Sequence, residues 1–213
     1  GTFGMPPYPA SAAGPDLRQL VLGSEGRLGI LTDVILRTSP LPEVDRLEAY
    51  ALPGWEAGHE CVRAIAQARI GLSVLRLSTP GESRTLLAFA DRPSQIRALT
   101  TYLRVRRQPG DWALLLVGAA GRKRLARAAR DEARAIIGAH GGTAIPALAQ
   151  TWSKTRFRSP YLRNALWTIG YGSDTLETAT EWARVPALLA RLEAAVASAL
   201  APIGEKVHVF THL

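Results

Sequence analysis

Cysteine is almost absent from the chain, and long hydrophobic runs are lacking. The 213 residues include a single cysteine, Cys61, which excludes an internal disulfide and a cysteine-rich metal site. Because it stands among Val62, Ala64 and Ile65, we expect a buried structural thiol rather than a nucleophile. No run approaches the ~18 apolar residues of a membrane helix, and the N-terminus lacks the basic and apolar regions of a signal peptide. We therefore expect a bacterial cytoplasmic protein without a transmembrane segment.

Lysine is also scarce, since the net charge of +8 comes from 23 arginines and only 3 lysines. The arginines are scattered, and aromatic residues do not alternate with them as a stacking surface for nucleic acid requires. We therefore expect no nucleic-acid partner. The positive charge favours a small anionic substrate, because it raises the electrostatic potential in a cleft.

The most informative segment is a glycine-rich turn, GSEGRLGIL, at residues 23–31. Its glycines allow the backbone to turn tightly and to approach a ligand closely. Taken alone, the pattern is weak, because such turns are more often plain connections between two strands than ligand-binding loops. The longer string GPDLRQLVLGSEGRLGILTDVILRTSPLPE, residues 14–43, resembles the end of the flavin-binding domain in FAD-linked oxidases of the vanillyl-alcohol-oxidase type.

This resemblance implies that the cofactor is FAD and that the turn lines it, largely through backbone groups. The residues carried over from the matching motif are Glu25, Gly26, Arg27, Leu28, Gly29, Ile30 and Leu31. Arg27 departs from the family's usual GSEGTLG, so its side-chain contact is left open. Residues 1–42 are then the C-terminal remnant of an FAD-binding domain, and we expect a truncated chain that holds FAD poorly by itself.

From residue 43 onward, strand-like and helix-like patterns alternate. Strands are predicted at 46–52, 74–77, 84–90 and 112–117, and helices at 55–69, 93–104 and 121–137. This order predicts an α+β fold with an antiparallel sheet whose helices pack on one face. Beyond it, the patterns predict helices at 160–170 and 185–201 and a strand at 206–213, and leave 144–158 open between a short helix, a loop and a linker. In the first unit, residues 30–36 are predicted to be β-rich.

Three strings in the second unit resemble the cap domain of alkyldihydroxyacetonephosphate synthases. They are SVLRLS at 73–78, SPYLRNALWTIG at 159–170 and LETATEWARVPALL at 176–189. The resemblance implies that residues 43–213 are a substrate-binding cap domain, truncated at its C-terminal end. The implied enzyme exchanges the acyl group of acyl-dihydroxyacetone phosphate for a fatty alcohol, without net redox change, in ether lipid synthesis. A fatty alcohol or acyl chain, a homodimer and peripheral membrane contact are the further expectations.

Two arginines match family positions of functional weight. Arg163, in PYLRNAL, corresponds to the residue expected to bind the anionic group of the substrate, which suits a planar and permanently charged guanidinium. Arg76, in SVLRLS, corresponds to a residue needed for activity, and we take it as catalytic. From the residues alone, an arginine on a helix is more often a surface residue, and one facing inward from a strand needs a partner.

The histidines do not predict a metal site. His59 and His140 stand alone and are expected to be structural or solvated. His208 and His212 share one face of the predicted terminal strand, but two ligands are too few for a metal. The last three residues are also where the metal-binding His-Leu-Gly-Asp-Gly-Asn motif begins in FAD-dependent 2-hydroxy-acid dehydrogenases.

Three functions therefore stay open. The first is an alkyldihydroxyacetonephosphate synthase-like transferase. The second is an FAD-dependent oxidoreductase for a 2-hydroxy acid such as D-lactate or glycolate. The third is a non-catalytic binding module. For the first two, we expect the isolated chain to be inactive.

Overall fold

The computed structural model describes residues 1–8, 12–89, 93–108 and 110–213. The chain divides into two compact units, Gly1–Leu41 and Pro42–Leu213. The described part of the first unit contains one short helix, α1 (Arg18–Val21), and no strand. The prediction of a β-rich segment at residues 30–36 is therefore wrong. A strand needs a neighbouring strand to accept its backbone hydrogen bonds, and the described part of this unit supplies none.

The second unit is built on a four-stranded antiparallel sheet. Its strands are β1 (Val44–Leu52), β2 (Val74–Ser78), β3 (Ala113–Gly121) and β4 (Thr143–Ala144). Their order across the sheet is β2-β3-β1-β4, so β3 lies between two strands that precede it in the chain. In this register Val74 lies opposite Gly118, and Tyr50 lies opposite Ala144. The arrangement is that of a split β-α-β unit, as in ferredoxin-like folds.

The described part of the second unit also contains seven helices of ten or more residues. They are α2 (Trp55–Gln67), α3 (Pro80–Phe89), α4 (Pro93–Val105), α5 (Lys123–Ala139), α6 (Pro146–Thr155), α7 (Ser159–Thr168) and α8 (Val185–Leu200). The predicted α+β fold is confirmed, and so are the helices expected near α2, α4, α5, α7 and α8. The segment that the sequence left open is α6, followed by a 3-10 turn at Arg156–Arg158.

One predicted strand is a helix. The strand expected at 84–90 lies within α3 as far as residue 89, and residue 90 is outside the described residues. Thr79 caps this helix, because its Oγ1 accepts a hydrogen bond from the Glu82 N–H at 3.3 Å, and Pro80 occupies the first helical position. The string Thr-Pro-Gly-Glu at 79–82 is a helix-start pattern that the strand assignment overlooked.

Both faces of the sheet are covered, so the prediction of helices on one face is wrong. On one face, Leu52, Leu77 and Leu115 pack with Ile65 of α2 and Ile137 of α5. On the other face, alternate residues of the same strands pack against α4 and α6; this cluster contains Ala49, Ala51, Leu103, Leu114, Leu116, Ile145 and Ala149. The physical reason lies in β3, whose first seven residues are all buried. An unbroken apolar strand requires cover on both sides.

Helix α5 is held to β1 by an ionic network around Glu48. Arg134 Nε donates to Glu48 Oε2 at 2.9 Å, and Arg130 Nη1 donates to Oε1 at 3.3 Å. The Tyr50 hydroxyl also donates to Glu48 Oε2, at 2.6 Å. The Glu48 side chain is 17% exposed, so these charges are partly screened from water.

The end of the chain pairs with the outer edge of β2. The N–H groups of Leu77 and Leu213 each donate to the other residue's carbonyl at 2.9 Å, and the Thr79 N–H donates to the Thr211 carbonyl at 3.0 Å. The predicted terminal strand is therefore present only as a short antiparallel pairing over its last residues. This pairing brings His212 beside β2.

The segment Trp182–Ile203, which contains α8, is unusually apolar. It has 22 residues, and none of its most apolar stretch is buried. By length and composition it could cross a membrane, so the prediction that no run approaches that size is wrong. A single such helix is weak evidence for a span, because soluble proteins also contain helices of this length and composition.

Candidate functional site

Arg76 occupies the middle of β2, on the sheet face that α3 approaches. Leu75 and Leu77, its neighbours in the strand, face the core formed with α2 and α5. Alternation along the strand therefore directs Arg76 to the opposite face. Its side chain is 28% exposed, so the guanidinium is neither fully solvated nor fully buried.

A buried carboxylate from α3 meets this guanidinium. Arg76 Nη2 donates to Glu82 Oε1 at 2.6 Å, and the Glu82 side chain is only 2% exposed. The same Nη2 lies 3.0 Å from Nδ1 of His212, and that Nδ1 lies 3.3 Å from Glu82 Oε1. We call this group the Arg76–Glu82–His212 cluster. It joins β2, the first turn of α3 and the terminal segment.

The cluster stabilises the ionised form of its carboxyl group. Burial by itself raises the pKa of Glu82, but the positive charge of Arg76, which pairs with its carboxylate, opposes this effect, and the pKa is held below its usual value. Glu82 is therefore a carboxylate at neutral pH. Such an ion is retained in a buried position because it is paired.

The cluster has unused hydrogen-bonding capacity. Arg76 Nε is buried and has no hydrogen-bond partner among the described residues. Ser78 Oγ and Glu82 Oε2 form no hydrogen bond of normal geometry, although Ser78 is close enough to help lower the pKa of Glu82. Since buried polar atoms are normally satisfied, Arg76 Nε can accommodate an ordered water or a polar group of a ligand.

A second histidine contacts α3 one turn further along. Thr85 Oγ1 donates to the Gly81 carbonyl at 3.0 Å, so it accepts from Nε2 of His208, which lies 2.7 Å away. The two histidines of the terminal segment therefore both contact α3. Within the described ranges, no group of three or more His, Cys, Asp or Glu side chains could hold a metal ion.

The other histidines and the cysteine lie within the fold. His59 is 5% exposed between the rings of Trp55 and Trp182, and Nδ1 of His140 lies 2.8 Å from the Ile136 carbonyl oxygen. Cys61 is fully buried, which agrees with the expected structural thiol.

Sequence reasoning missed Glu82 as a member of the site. The predicted strand at 84–90 leaves no helix that could present a side chain toward Arg76. The helix-start pattern Thr79-Pro80-Gly81-Glu82 could have revealed it. No sequence pattern predicts that Glu82 contacts His212, because these two residues lie far apart in the chain.

Arg163 lies on α7 and is exposed. Its guanidinium carbon is 5.6 Å from the centre of the Trp167 ring, a cation–π arrangement. Among the described residues, no hydrogen bond or ion pair connects it to the Arg76–Glu82–His212 cluster. The charge of Arg163 is therefore available to an anion. The structure shows no contact between Arg163 and Arg76, the two arginines predicted from the sequence.

The glycine-rich turn lies in the first unit and is exposed throughout residues 25–31. Gly26 has a φ of 80° and Glu25 a φ of 50°, both in the left-handed region, and the Arg27 N–H closes the turn on the Ser24 carbonyl at 2.9 Å. Gly26 adopts this conformation without steric cost because it has no Cβ.

This turn fits a flavin cofactor. Within the described part of the chain, the backbone N–H groups of Glu25, Gly26, Leu28 and Gly29 have no acceptor. A Cβ at Gly26 or Gly29 would meet no atom within 4 Å, so the backbone is open to a ligand. Leu28, Ile30 and Leu31 are 60%, 91% and 65% exposed and supply apolar surface beside these donors. Open amides suit the polar edge or phosphates of FAD, and the apolar side chains suit its ring system.

Comparison with known proteins identifies the class. Residues 41–213 match the family described as FAD linked oxidases, C-terminal domain, and the chain belongs to this family. The family resemblance predicted from the sequence is therefore confirmed.

Three relatives of this chain are all named alkyldihydroxyacetonephosphate synthase. An alkyldihydroxyacetonephosphate synthase of Trypanosoma brucei brucei is 26% identical over 81% of this chain and 29% of its own length. One of Dictyostelium discoideum is 25% identical over 84% of this chain and 30% of its own length, and one of Caenorhabditis elegans is 39% identical over 32% and 12%. The chain thus spans less than a third of the length of these relatives.

Solved structures of the same synthase share the fold. One matches with a TM-score of 0.57 at 23% identity, covering 73% of this chain and 30% of its own. Another matches with a TM-score of 0.58 at 25% identity, covering 73% and 29%. These matches agree with the α+β fold of the second unit.

Proposed function

We propose that this chain contributes part of the flavin site and the substrate-binding cap of an FAD-dependent alkyldihydroxyacetonephosphate synthase. The observation that carries the proposal is the alignment of relatives with that name over more than four-fifths of the chain. In this reaction the acyl group of acyl-dihydroxyacetone phosphate is exchanged for a fatty alcohol. FAD, when bound, supplies an electron-accepting ring system at the reacting carbon.

The exposed arginine on α7 suits the anionic end of such a substrate. Arg163 is planar, permanently charged and free of any ion pair within the described residues, so two of its N–H groups can meet two phosphate oxygens. Its stacking on Trp167 limits the orientations of the guanidinium and lowers the entropy lost on binding. We therefore assign Arg163 to substrate binding.

Arg76 is assigned to activity through the Arg76–Glu82–His212 cluster. It contributes a partly exposed positive charge whose direction is set by Glu82. The buried Nε of Arg76, which has no partner among the described residues, supports a polar ligand nearby.

The cofactor is assigned to the glycine-rich turn. The open amides of Glu25, Gly26, Leu28 and Gly29 would hold FAD, with Arg27, Ile30 and Leu31 beside it.

We further propose that the 213 residues alone bind FAD weakly and are inactive, because the described first unit offers the cofactor an exposed turn rather than an enclosed site. The small anionic substrate, the fatty alcohol or acyl chain, the homodimer and the cytoplasmic location with peripheral membrane contact stay predictions from the sequence.

The test uses the complete protein that carries this sequence, loaded with FAD. With acyl-dihydroxyacetone phosphate and a labelled fatty alcohol, we expect release of the fatty acid and incorporation of the label. Arg163→Met should reduce this exchange at least about tenfold, since a charge-assisted hydrogen bond contributes about 1.5–3 kcal/mol. Arg191→Met, which removes an exposed arginine of α8, is the matched control and should leave the rate within twofold or so.

Two other results would replace the proposal. Flavin reduction by a D-2-hydroxy acid, with no exchange, would identify the oxidoreductase instead. Absence of both FAD and turnover from the complete protein would identify a binding module.

A further inference from the structure

One nitrogen of Arg76 serves two partners from distant parts of the chain. Its Nη2 lies 2.6 Å from Oε1 of Glu82 and 3.0 Å from Nδ1 of His212. The three side chains come from β2, α3 and the terminal segment. Neither Glu82 nor His212 has been given a role in the reaction by the arguments above.

The chemistry of arginine decides where the proton of His212 lies. A guanidinium donates hydrogen bonds and accepts none, and each terminal nitrogen carries two hydrogens. When one hydrogen of Nη2 goes to Glu82, the other is directed to Nδ1 of His212. That nitrogen must then offer a lone pair, so neutral His212 carries its proton on Nε2.

Glu82 is placed to hold this arrangement. It is 2% exposed, ionised, and anchored in the first turn of a helix that Thr79 caps. Its contact directs Nη2 of a guanidinium whose Nε has no partner in the described part of the chain. The terminal segment is held independently, since the Thr79 N–H donates to the Thr211 carbonyl directly before His212.

The His212 ring is only partly buried. The His212 side chain is 44% exposed, and Nε2 has no hydrogen-bond partner among the described residues. A neutral imidazole that keeps its proton on the exposed nitrogen is a donor rather than a base. It is suited to a carbonyl or phosphate oxygen.

We propose that Glu82 is a positioning residue that directs Arg76 onto Nδ1 of His212 and thereby presents the His212 Nε2–H to a substrate oxygen. The identity of that oxygen rests on the proposed function, as a carbonyl or phosphate oxygen of the substrate. The choice of the ring nitrogen that carries the proton does not rest on the proposed function, because it is a property of the chain without substrate.

Removal of Arg76 should reverse the tautomer. Glu82 Oε1 lies 3.3 Å from Nδ1, so without the guanidinium it becomes the nearest acceptor for a proton on that nitrogen. The ring then turns from an Nε2–H donor into an Nδ1–H donor held by the carboxylate. A side chain with a purely structural role would not change its protonated nitrogen in this way.

The experiment measures the ring nitrogen chemical shifts of 15N-histidine-labelled chain above the ordinary titration range of histidine. His212→Asn assigns the signal among the four histidines. We expect the Nε2–H tautomer to dominate for His212 in the wild-type chain. We expect the Nδ1–H tautomer to dominate in Arg76→Met and a mixture of both in Glu82→Gln. Glu60→Gln removes an exposed carboxylate that pairs with Arg63 and lies 3.4 Å from His59 Nδ1; it is the matched control and should leave the His212 signals unchanged.

The donor role is tested on the same samples with inorganic phosphate as the oxygen acceptor. The His212 Nε2 signal should move in the wild-type chain and move several-fold less in Arg76→Met. A wild-type His212 ring protonated on Nδ1 would overturn the positioning role of Glu82, even if a variant folds poorly. The same tautomer in the wild type, Arg76→Met and Glu82→Gln would also overturn it. A phosphate response that is equal in the wild type and Arg76→Met would overturn the donor role. Failure of the synthase assay alone would leave both results standing.

Discussion

Gly118 in β3 lies directly against Val74 in β2. A Cβ at position 118 would be 2.9 Å from the Cβ of Val74, closer than two such atoms can approach. The backbone φ of Gly118 is one that other residues can adopt, so the requirement for glycine here comes from packing between strands. Gly118→Ala should therefore lower the free energy of unfolding by about 1–3 kcal/mol, as overpacked sites do.

Urea denaturation of the 213-residue chain measures this effect. Gly138→Ala in α5 is the control, because a Cβ there would meet no atom within 4 Å. That change should stabilise the chain by up to about 1 kcal/mol, since alanine favours a helix more than glycine does. Equal effects of the two substitutions would show that strand packing is not the cause.

Glu48 should contribute more to stability than a typical surface carboxylate. Burial raises the pKa of Glu48, but the Arg134 hydrogen bond, the Tyr50 hydroxyl and the charge of Arg130 outweigh it, so the net pKa is lowered. Glu48→Gln should cost about 1–3 kcal/mol at neutral pH, because hydrogen bonds to a charged group are lost. Arg127→Gln, which removes an exposed pair at 3.6 Å from Asp131, should cost less than about 1 kcal/mol.

The stability contribution of Glu48 should depend on pH. A carboxyl group whose pKa is lowered by folding stabilises the protein above its unfolded pKa, about 4.3 for glutamate, and loses this contribution as the pH falls through the folded value. The difference between the wild type and Glu48→Gln should therefore shrink in acid. A difference that stays constant between neutral pH and pH 3 or so would contradict the charge-based explanation.

Cys61 should be unreactive in the folded chain. Burial raises the pKa of its thiol to about 11. At pH 8 only about one-thousandth of it would be thiolate, the form that reacts with alkylating agents. We expect slow modification by iodoacetamide in buffer and rapid modification in urea, followed by intact mass. Fast modification of the folded chain would show that the core around α2 opens readily.

Gly26 should be needed for FAD binding. Its φ of 80° lies in the left-handed region, where a side chain adds strain of about 1–3 kcal/mol. Gly26→Ala in the complete protein should weaken FAD binding about tenfold or more, because strain of 1.4 kcal/mol or so corresponds to that factor. Gly4→Ala, at a position with no neighbour within 4 Å and no positive φ, is the control for flavin fluorescence titration. Unchanged affinity in Gly26→Ala would remove the turn from the cofactor site.

Local patterns predicted a large part of the fold because their information is contained in neighbouring residues. The apolar period of α5 and the unbroken apolar run of β3 determine a helix and a buried strand without reference to the rest of the chain. The same reasoning failed at Thr85–Phe89, where apolar residues suit either a strand or a helix. There the cap at Thr79 and the approach of α3 to the sheet decide the outcome.

The sequence by itself determined the family, the glycine turn at residues 23–31, and the two arginines that match family motifs. Only the tertiary structure brought Arg76, Glu82 and His212 into contact, because the antiparallel pairing of the last residues with β2 places His212 beside Arg76, 136 positions earlier in the chain. Only the tertiary structure showed which helices cover each face of the sheet, with α2 and α5 on one face and α4 and α6 on the other. The apolar period of a segment predicts which of its residues are buried. It does not predict which distant segment packs against them, because several segments could cover the same surface.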